Sequence, residues 1–147
     1  GDPEITEEMV VAAAQEIGVH DFICSLPQGY HYNVKERGTT LSSGQRQLIA
    51  FLRAFVSKPS ILILDEATSS VDSYSEELIQ NATDRITGGR TSIVIAHRLA
   101  TIQKADQILV MEQGHIVERG THADLIKKEQ GPYKSLYEVQ FLAQPEP

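Results

Sequence analysis

Residues Ile61-Leu62-Ile63-Leu64 run directly into Asp65-Glu66, and Ala67-Thr68-Ser69-Ser70-Val71-Asp72 follows. No other stretch constrains the fold as tightly. Four apolar residues ending in two carboxylates read as a strand buried on both faces, with charge at its C-terminal end. In open α/β sheets, ligands sit off the carboxyl ends of the strands. An acidic pair there can divide the work, one carboxylate holding Mg²⁺ and the other orienting or deprotonating a water. The same residues also fit a buried strand followed by the acidic first turn of a helix. The rest of the chain decides between the two.

The 147 residues suffice for one domain with a real core. The formal net charge of -7 argues against a general basic surface for nucleic acid. A single cysteine, Cys24, excludes an internal disulfide and fits a reduced, cytosolic setting. No apolar run approaches the roughly 18 residues of a membrane span, and no signal peptide opens the sequence. Any membrane link is expected through a partner or through covalent sequence outside this stretch. Gly1-Asp2-Pro3 opens without an initiating Met, so the sequence reads as a piece of a longer chain.

Thr6 is placed to cap a helix carrying Met9, Val10, Ala13 and Ile17 on one face, with Gly18 ending it. Phe22, Ile23 and Leu26 form a second short apolar cluster, broken by Pro27-Gln28-Gly29. Residues 28–40 are polar and turn-rich, so the first forty residues predict helices and loops without a strand.

Leu41-Ser42-Ser43-Gly44-Gln45-Arg46-Gln47 comes next. Ser42 with Gln45 three residues on is a capping box. The helix it starts repeats apolar positions at Leu48, Ile49, Leu52, Phe55 and Val56 and stops before Pro59. Most capping boxes mark no more than a well-started amphipathic helix. Gly44 is the odd residue, because glycine weakens a first turn but lets another group approach the backbone. A helix start with unsatisfied N–H groups, a Ser hydroxyl and no side chain at Gly44 suits a phosphate.

Beyond the acidic strand, a helix is expected over about residues 74–87, bearing Leu78, Ile79, Ala82 and Ile86 and ended by Gly88-Gly89. Residues 91–96 predict a second buried strand with His97-Arg98 at its carboxyl end. A histidine there is more often structural than catalytic, but this one follows a strand of the same expected sheet as Asp65 and Glu66. Residues 107–111 predict a third strand, turned by Gln113-Gly114 into a short partner at 115–118. Thr121 caps a helix with Asp124 in its first turn. Gly131-Pro132 precedes a last helix with Tyr133, Leu136, Tyr137 and Phe141, and residues 144–147 read as a frayed tail. Strands alternating with helices from residue 60 onward predict an α/β fold, a parallel sheet with flanking helices. The expected division is a helical subdomain over 1–58, an α/β core over 59–130 and a C-terminal helix and tail over 131–147.

Taken together, these segments resemble the nucleotide-binding domains of ABC (ATP-binding cassette) transporters. Leu41 to Gln45 resembles that family's signature motif, Ile61 to Glu66 its Walker B strand, Ser69 to Asp72 its D-loop, and His97 its switch histidine. The four occur in the family's order and spacing. Leu26-Pro27-Gln28-Gly29-Tyr30 and Glu36-Arg37-Gly38 are most similar to exporters of lipids, drugs or peptides. The resemblance implies a partial P-loop NTPase-like sheet joined to an ABC-type helical subdomain. It implies ATP and Mg²⁺ as cofactors, with Asp65 holding the metal, Glu66 polarising the attacking water and His97 contacting the γ-phosphate. Ser42, Gly44 and Gln45 would meet an ATP held on a second nucleotide-binding domain in a head-to-tail dimer, and Asp72 would help join the two sites. A transmembrane domain is the other implied partner, which places the chain at the cytoplasmic face of a membrane, with no nucleic acid involved.

Ser43 stands where the family usually has a glycine, a position that exporters often vary. Residues 33–38 match the exporter loop facing the membrane domain only loosely. No Gly-x-x-x-x-Gly-Lys-Ser/Thr occurs, and no glycine in the chain precedes a lysine, so the phosphate-cradling P-loop is missing. The chain resembles the C-terminal half to two-thirds of such a domain, and alone it is expected to lack ATPase activity. Two other readings stand beside the exporter motor. One is a non-transport ABC-type ATPase, which usually carries a long coiled coil that this sequence lacks. The other is a non-catalytic interaction module offering its signature helix to a partner.

Overall fold

The computed structural model describes residues 3–66 and 73–139. They form two compact units, divided between Ile95 and Ala96. Residues 67–72, Asp72 among them, and residues 140–147, Phe141 among them, lie outside the described residues.

The first unit opens with α1 (Glu7–Ile17). The Thr6 side chain accepts from the N–H of Met9, and Gly18 closes the helix in the left-handed conformation at φ 80°. Positive φ is the reason for glycine there. Ala13, Ala14 and Ile17 are buried on its inner face, whereas Met9 is exposed. Its place in the first turn lets it point away from the core that the later turns meet. Helix α2 (His20–Ser25) buries Phe22 and Ile23. Two single 3₁₀ turns, Gly29–His31 and Glu36–Gly38, carry the polar segment that follows.

Helix α3 (Ser43–Val56) is the spine of this unit and packs against α1 and against α4 (Ser73–Thr87). Leu48, Phe51, Leu52, Phe55 and Val56 are buried along one side, which is the 3.6-residue stripe expected of a helix lying on a core. Ile79, Ala82 and Ile86 answer from α4, and Ala14, Ile17 and Val19 from the α1 end. Arg85 Nη1 ties α4 to α1 by donating to the carbonyl of Glu16 at 2.8 Å.

Strands β1 (Ile61–Asp65) and β2 (Thr91–Ile95) pair in parallel, Ile61 opposite Thr91 and Asp65 opposite Ile95. Leu62 and Leu64 face the helical core. The opposite face corrects the expectation of a strand buried on both sides. Ile61 and Ile63 are 60% and 68% exposed, and Ile93 and Ile95 55% and 53%. Side chains alternate across a strand, and the described helices of this unit pack on one face of the two-stranded sheet. Among the described residues the apolar run is therefore buried on one face only.

In the second unit, β3 (Ile108–Glu112) and β4 (His115–Gly120) form an antiparallel hairpin. The expected third strand of the parallel sheet thus pairs with β4 in a sheet of its own. Gln113 and Gly114 both have positive φ, 48° and 81°, the signature of a type I′ turn whose twist matches its strands. Helix α5 (Leu99–Lys104) precedes the hairpin, and α6 (His122–Leu125) and α7 (Pro132–Tyr137) follow it. Val110, Leu125 and Tyr133 form a small core. Glu118 holds α7 to β4: its Oε2 accepts from the N–H of Tyr133 at 2.9 Å and its Oε1 meets Lys128 Nζ at 2.9 Å. These bonds, the Tyr133 N–H foremost, hold the Glu118 carboxyl below its usual range.

Candidate nucleotide-binding site

The start of α3 is built as its sequence predicts. Ser42 Oγ accepts from the N–H of Gln45 at 3.2 Å, and Gln45 Oε1 accepts from the N–H of Ser42 at 3.0 Å. Both halves of the capping box are present. The box uses Ser42 as an acceptor and leaves its hydroxyl hydrogen, together with Gln45 Nε2, outside the exchange. The first intrahelical bond runs from Arg46 N to Ser42 O. The N–H groups of Ser43 and Gly44 therefore stand at the positive end of a 14-residue helix. Ser42 is exposed, Gln45 half-buried and Gly44 buried.

The approach to this helix is organised by a residue that the motif reading passed over. Arg46 Nη1 donates to the carbonyl of Leu41 at 2.6 Å. Its aliphatic stem lies where a Cβ on Gly38 would come within 3.1 Å, and Gly38 has a φ of 68°. The positive φ favours glycine there, and a Cβ would press on the Arg46 stem. Upstream, Asn33 Oδ1 accepts from the N–H of Lys35, and Thr40 Oγ1 donates to the carbonyl of Val34. Arg46 follows the motif directly and is a long cation one turn into the helix, which was the available sequence signal. Gln47 gave none, yet both its side-chain amide atoms are buried without a hydrogen-bond partner among the described residues.

At the end of β1 the two carboxylates separate. Asp65 is exposed, whereas Glu66 is 2% exposed. The Glu66 N–H donates to the carbonyl of Ile95 at 3.1 Å, which continues the parallel ladder one residue past the strand. Among the described residues no group of three or more His, Cys, Asp or Glu is gathered to hold a metal. A lone exposed carboxylate such as Asp65 still fits Mg²⁺, which keeps several waters and takes one or two carboxylates besides phosphate oxygens. His97 lies in the second unit, exposed, just before Arg98 and helix α5. The structure thus sets Asp65 and Glu66 side by side on one strand end, and Ser42, Gly44 and Gln45 together on one helix start.

A capped helix start and an acidic parallel-strand end have the form of a segment of a nucleotide-binding domain. The ABC transporter family model matches residues 4–69. Two Staphylococcus aureus proteins, from strain NCTC 8325 / PS 47 and strain bovine RF122 / ET3-1, are named as multidrug export ATP-binding/permease proteins. They are 54% and 53% identical over 142 residues, 97% of this chain. The structure of a bacterial Atm1-family ABC exporter with ATP bound superposes with a TM-score of 0.82 at 40% identity, covering 97% of this chain. The chain belongs to the ABC transporter family. It spans 24% of the length of the two Staphylococcus relatives and 25% of the exporter chain.

Proposed function

We propose that this chain is the signature-to-switch part of the ATP-hydrolysing motor of an ABC exporter. The observation that carries this reading is the strand end, where Asp65 faces outward and Glu66 is buried on a continued parallel ladder. Phosphoryl transfer depends on positioning and charge stabilisation more than on covalent help from the protein. In this reading Asp65 holds Mg²⁺, which when bound neutralises charge on the phosphates. Glu66 polarises the attacking water, and His97 contacts the γ-phosphate. Ser42, Gly44 and Gln45 offer donors to an ATP carried by a second nucleotide-binding domain packed head to tail, and Asp72 links the two sites. Hydrolysis then requires closure of the two domains, which a transmembrane domain converts into transport at the cytoplasmic face. Among the described residues no helix is long and apolar enough to cross a membrane, so that domain is supplied by other sequence.

Without a P-loop, the isolated chain has no floor for the phosphates and is inactive on its own. The test is Glu66→Gln in the longer protein, followed by steady-state ATPase turnover and by nucleotide binding. Lost turnover with retained binding supports the reading, and near-normal turnover rejects it.

A further inference from the structure

We propose that a cleft at the N-terminal edge of β1 and β2 is an oxyanion-binding site, taking one phosphate or carboxylate group on Arg90 and Lys58. The cleft has a volume of about 620 Å³ and is lined by Phe55, Lys58, Ser60, Arg90, Glu16 and Gly89, among others. Ser60 and Arg90 immediately precede the two strands, whereas Asp65 and Glu66 stand at the other end. Five residues of strand separate the two ends by about 16 Å, so this is a site apart from the one described above.

Arg90 carries the argument. Its guanidinium carbon lies 5.1 Å from the centroid of the Phe55 ring. A cation–π contact of this kind steadies the guanidinium against the ring face. Its Nη1 is buried and, among the described residues, has no hydrogen-bond partner. A buried charged donor left unpaired is costly, and a planar fork is the shape that matches a carboxylate or phosphate. The other walls suit the same guest. Lys58 is exposed and reaches the rim from a left-handed turn with φ 44°. Ser60 brings a hydroxyl. Gly89, at φ 72°, has nothing within 4 Å of the place a Cβ would occupy, so its backbone is open to close approach.

Two features oppose an anion: the Glu16 carboxylate in the lining and the carbonyl end of α3, which carries partial negative charge. They limit the site to a single oxyanion and make Glu16 a handle on its affinity.

The experiment is a titration of the 147-residue chain with inorganic phosphate and, separately, with acetate, against chloride at constant ionic strength. Two NMR signals report: the Arg90 side-chain Nε–Hε pair and the Phe55 ring protons. A saturable shift of both is expected, and the tighter of the two titrants identifies which oxyanion the site prefers. Lys58→Met, at an exposed position, and Arg90→Lys, followed through Phe55, should each weaken binding by about 10–100-fold, as expected for losing a hydrogen bond to a charged group. Glu16→Gln should tighten it. Signals that move no more with phosphate or acetate than with chloride overturn the proposal, as does an affinity that Lys58→Met and Glu16→Gln leave unchanged.

Discussion

The backbone N–H of Glu66 donates to the carbonyl oxygen of Ile95 at 3.1 Å, one residue beyond the last registered pair of Asp65 with Ile95. The ladder therefore fixes the backbone at the point where the two carboxylates diverge, Asp65 outward and Glu66 inward. Their loss should be separable. In the longer protein, Glu66→Gln should lower turnover at saturating Mg²⁺ by about 10²–10⁴-fold, the range for removing a general base. Asp65→Asn should instead raise the Mg²⁺ concentration needed for half-maximal turnover. Titrating Mg²⁺ against ATPase rate for both variants checks the division, and identical Mg²⁺ profiles would remove it.

The isolated chain should bind Mg-ATP weakly or not at all, because no P-loop is present to hold the phosphates. Isothermal calorimetry is the direct measurement. A micromolar dissociation constant would show that the strand end and helix start suffice by themselves.

Ser42→Ala should destabilise the first unit by about 1 kcal/mol, the usual cost of removing an N-cap side chain. The bond lost is the one from the N–H of Gln45 to Ser42 Oγ. Urea unfolding followed by circular dichroism gives the number. In the longer protein the same change should also slow turnover, since Ser42 is one of the donors assigned to the ATP of the second domain.

Leu48 is fully buried where α3 meets the core. Leu48→Ala should cost about 2–5 kcal/mol through lost burial and the cavity left behind. A urea midpoint unchanged from the parent chain would mean that the core closes over the gap.

The second unit should loosen in acid. The folded-state pKa of Glu118 is lowered by the Tyr133 N–H and the Lys128 ammonium, and that of Asp124 chiefly by the Thr121 hydroxyl, which donates to Oδ2 at 2.6 Å. A lowered folded-state pKa contributes stability that is present above the unfolded value and lost as pH falls through the folded one. The loss should begin below about pH 4.5, the ordinary value for Glu118. Near-ultraviolet tyrosine dichroism, to which Tyr133 contributes, should follow it. Glu118→Gln should flatten that part of the profile, and an unaltered profile would place the acid sensitivity elsewhere.

Local chemistry made much of this molecule legible. Thr6, Ser42 and Thr121 act as caps because a short hydroxyl side chain before an apolar repeat has few better uses. Gln113-Gly114 turned as two residues that accept positive φ must. Long-range features were harder to read. The alternation in β1 depends on which face other elements cover, and a run of four apolar residues carries no record of that. Helix α5 has only six residues, too few for a period to emerge from Leu99-Ala100-Thr101-Ile102. At the candidate site, Ser42 and Gln45 announced themselves as a capping box by type and order. Arg46 and Gln47 did not, because their roles depend on a loop folding back from Gly38 and on burial that no spacing encodes.

The hydrogen bond from Arg85 to the carbonyl of Glu16 joins residues 69 positions apart, and it has a consequence for biosynthesis. A ribosome delivers α1, α2 and α3 well before Arg85 leaves the exit tunnel. Until then the apolar sides of α1 and α3 have no α4 to close on, and the carbonyl end of α1 has no cation. This first unit therefore cannot be finished segment by segment as it emerges. Its core closes only once the strand and helix that come after have been made.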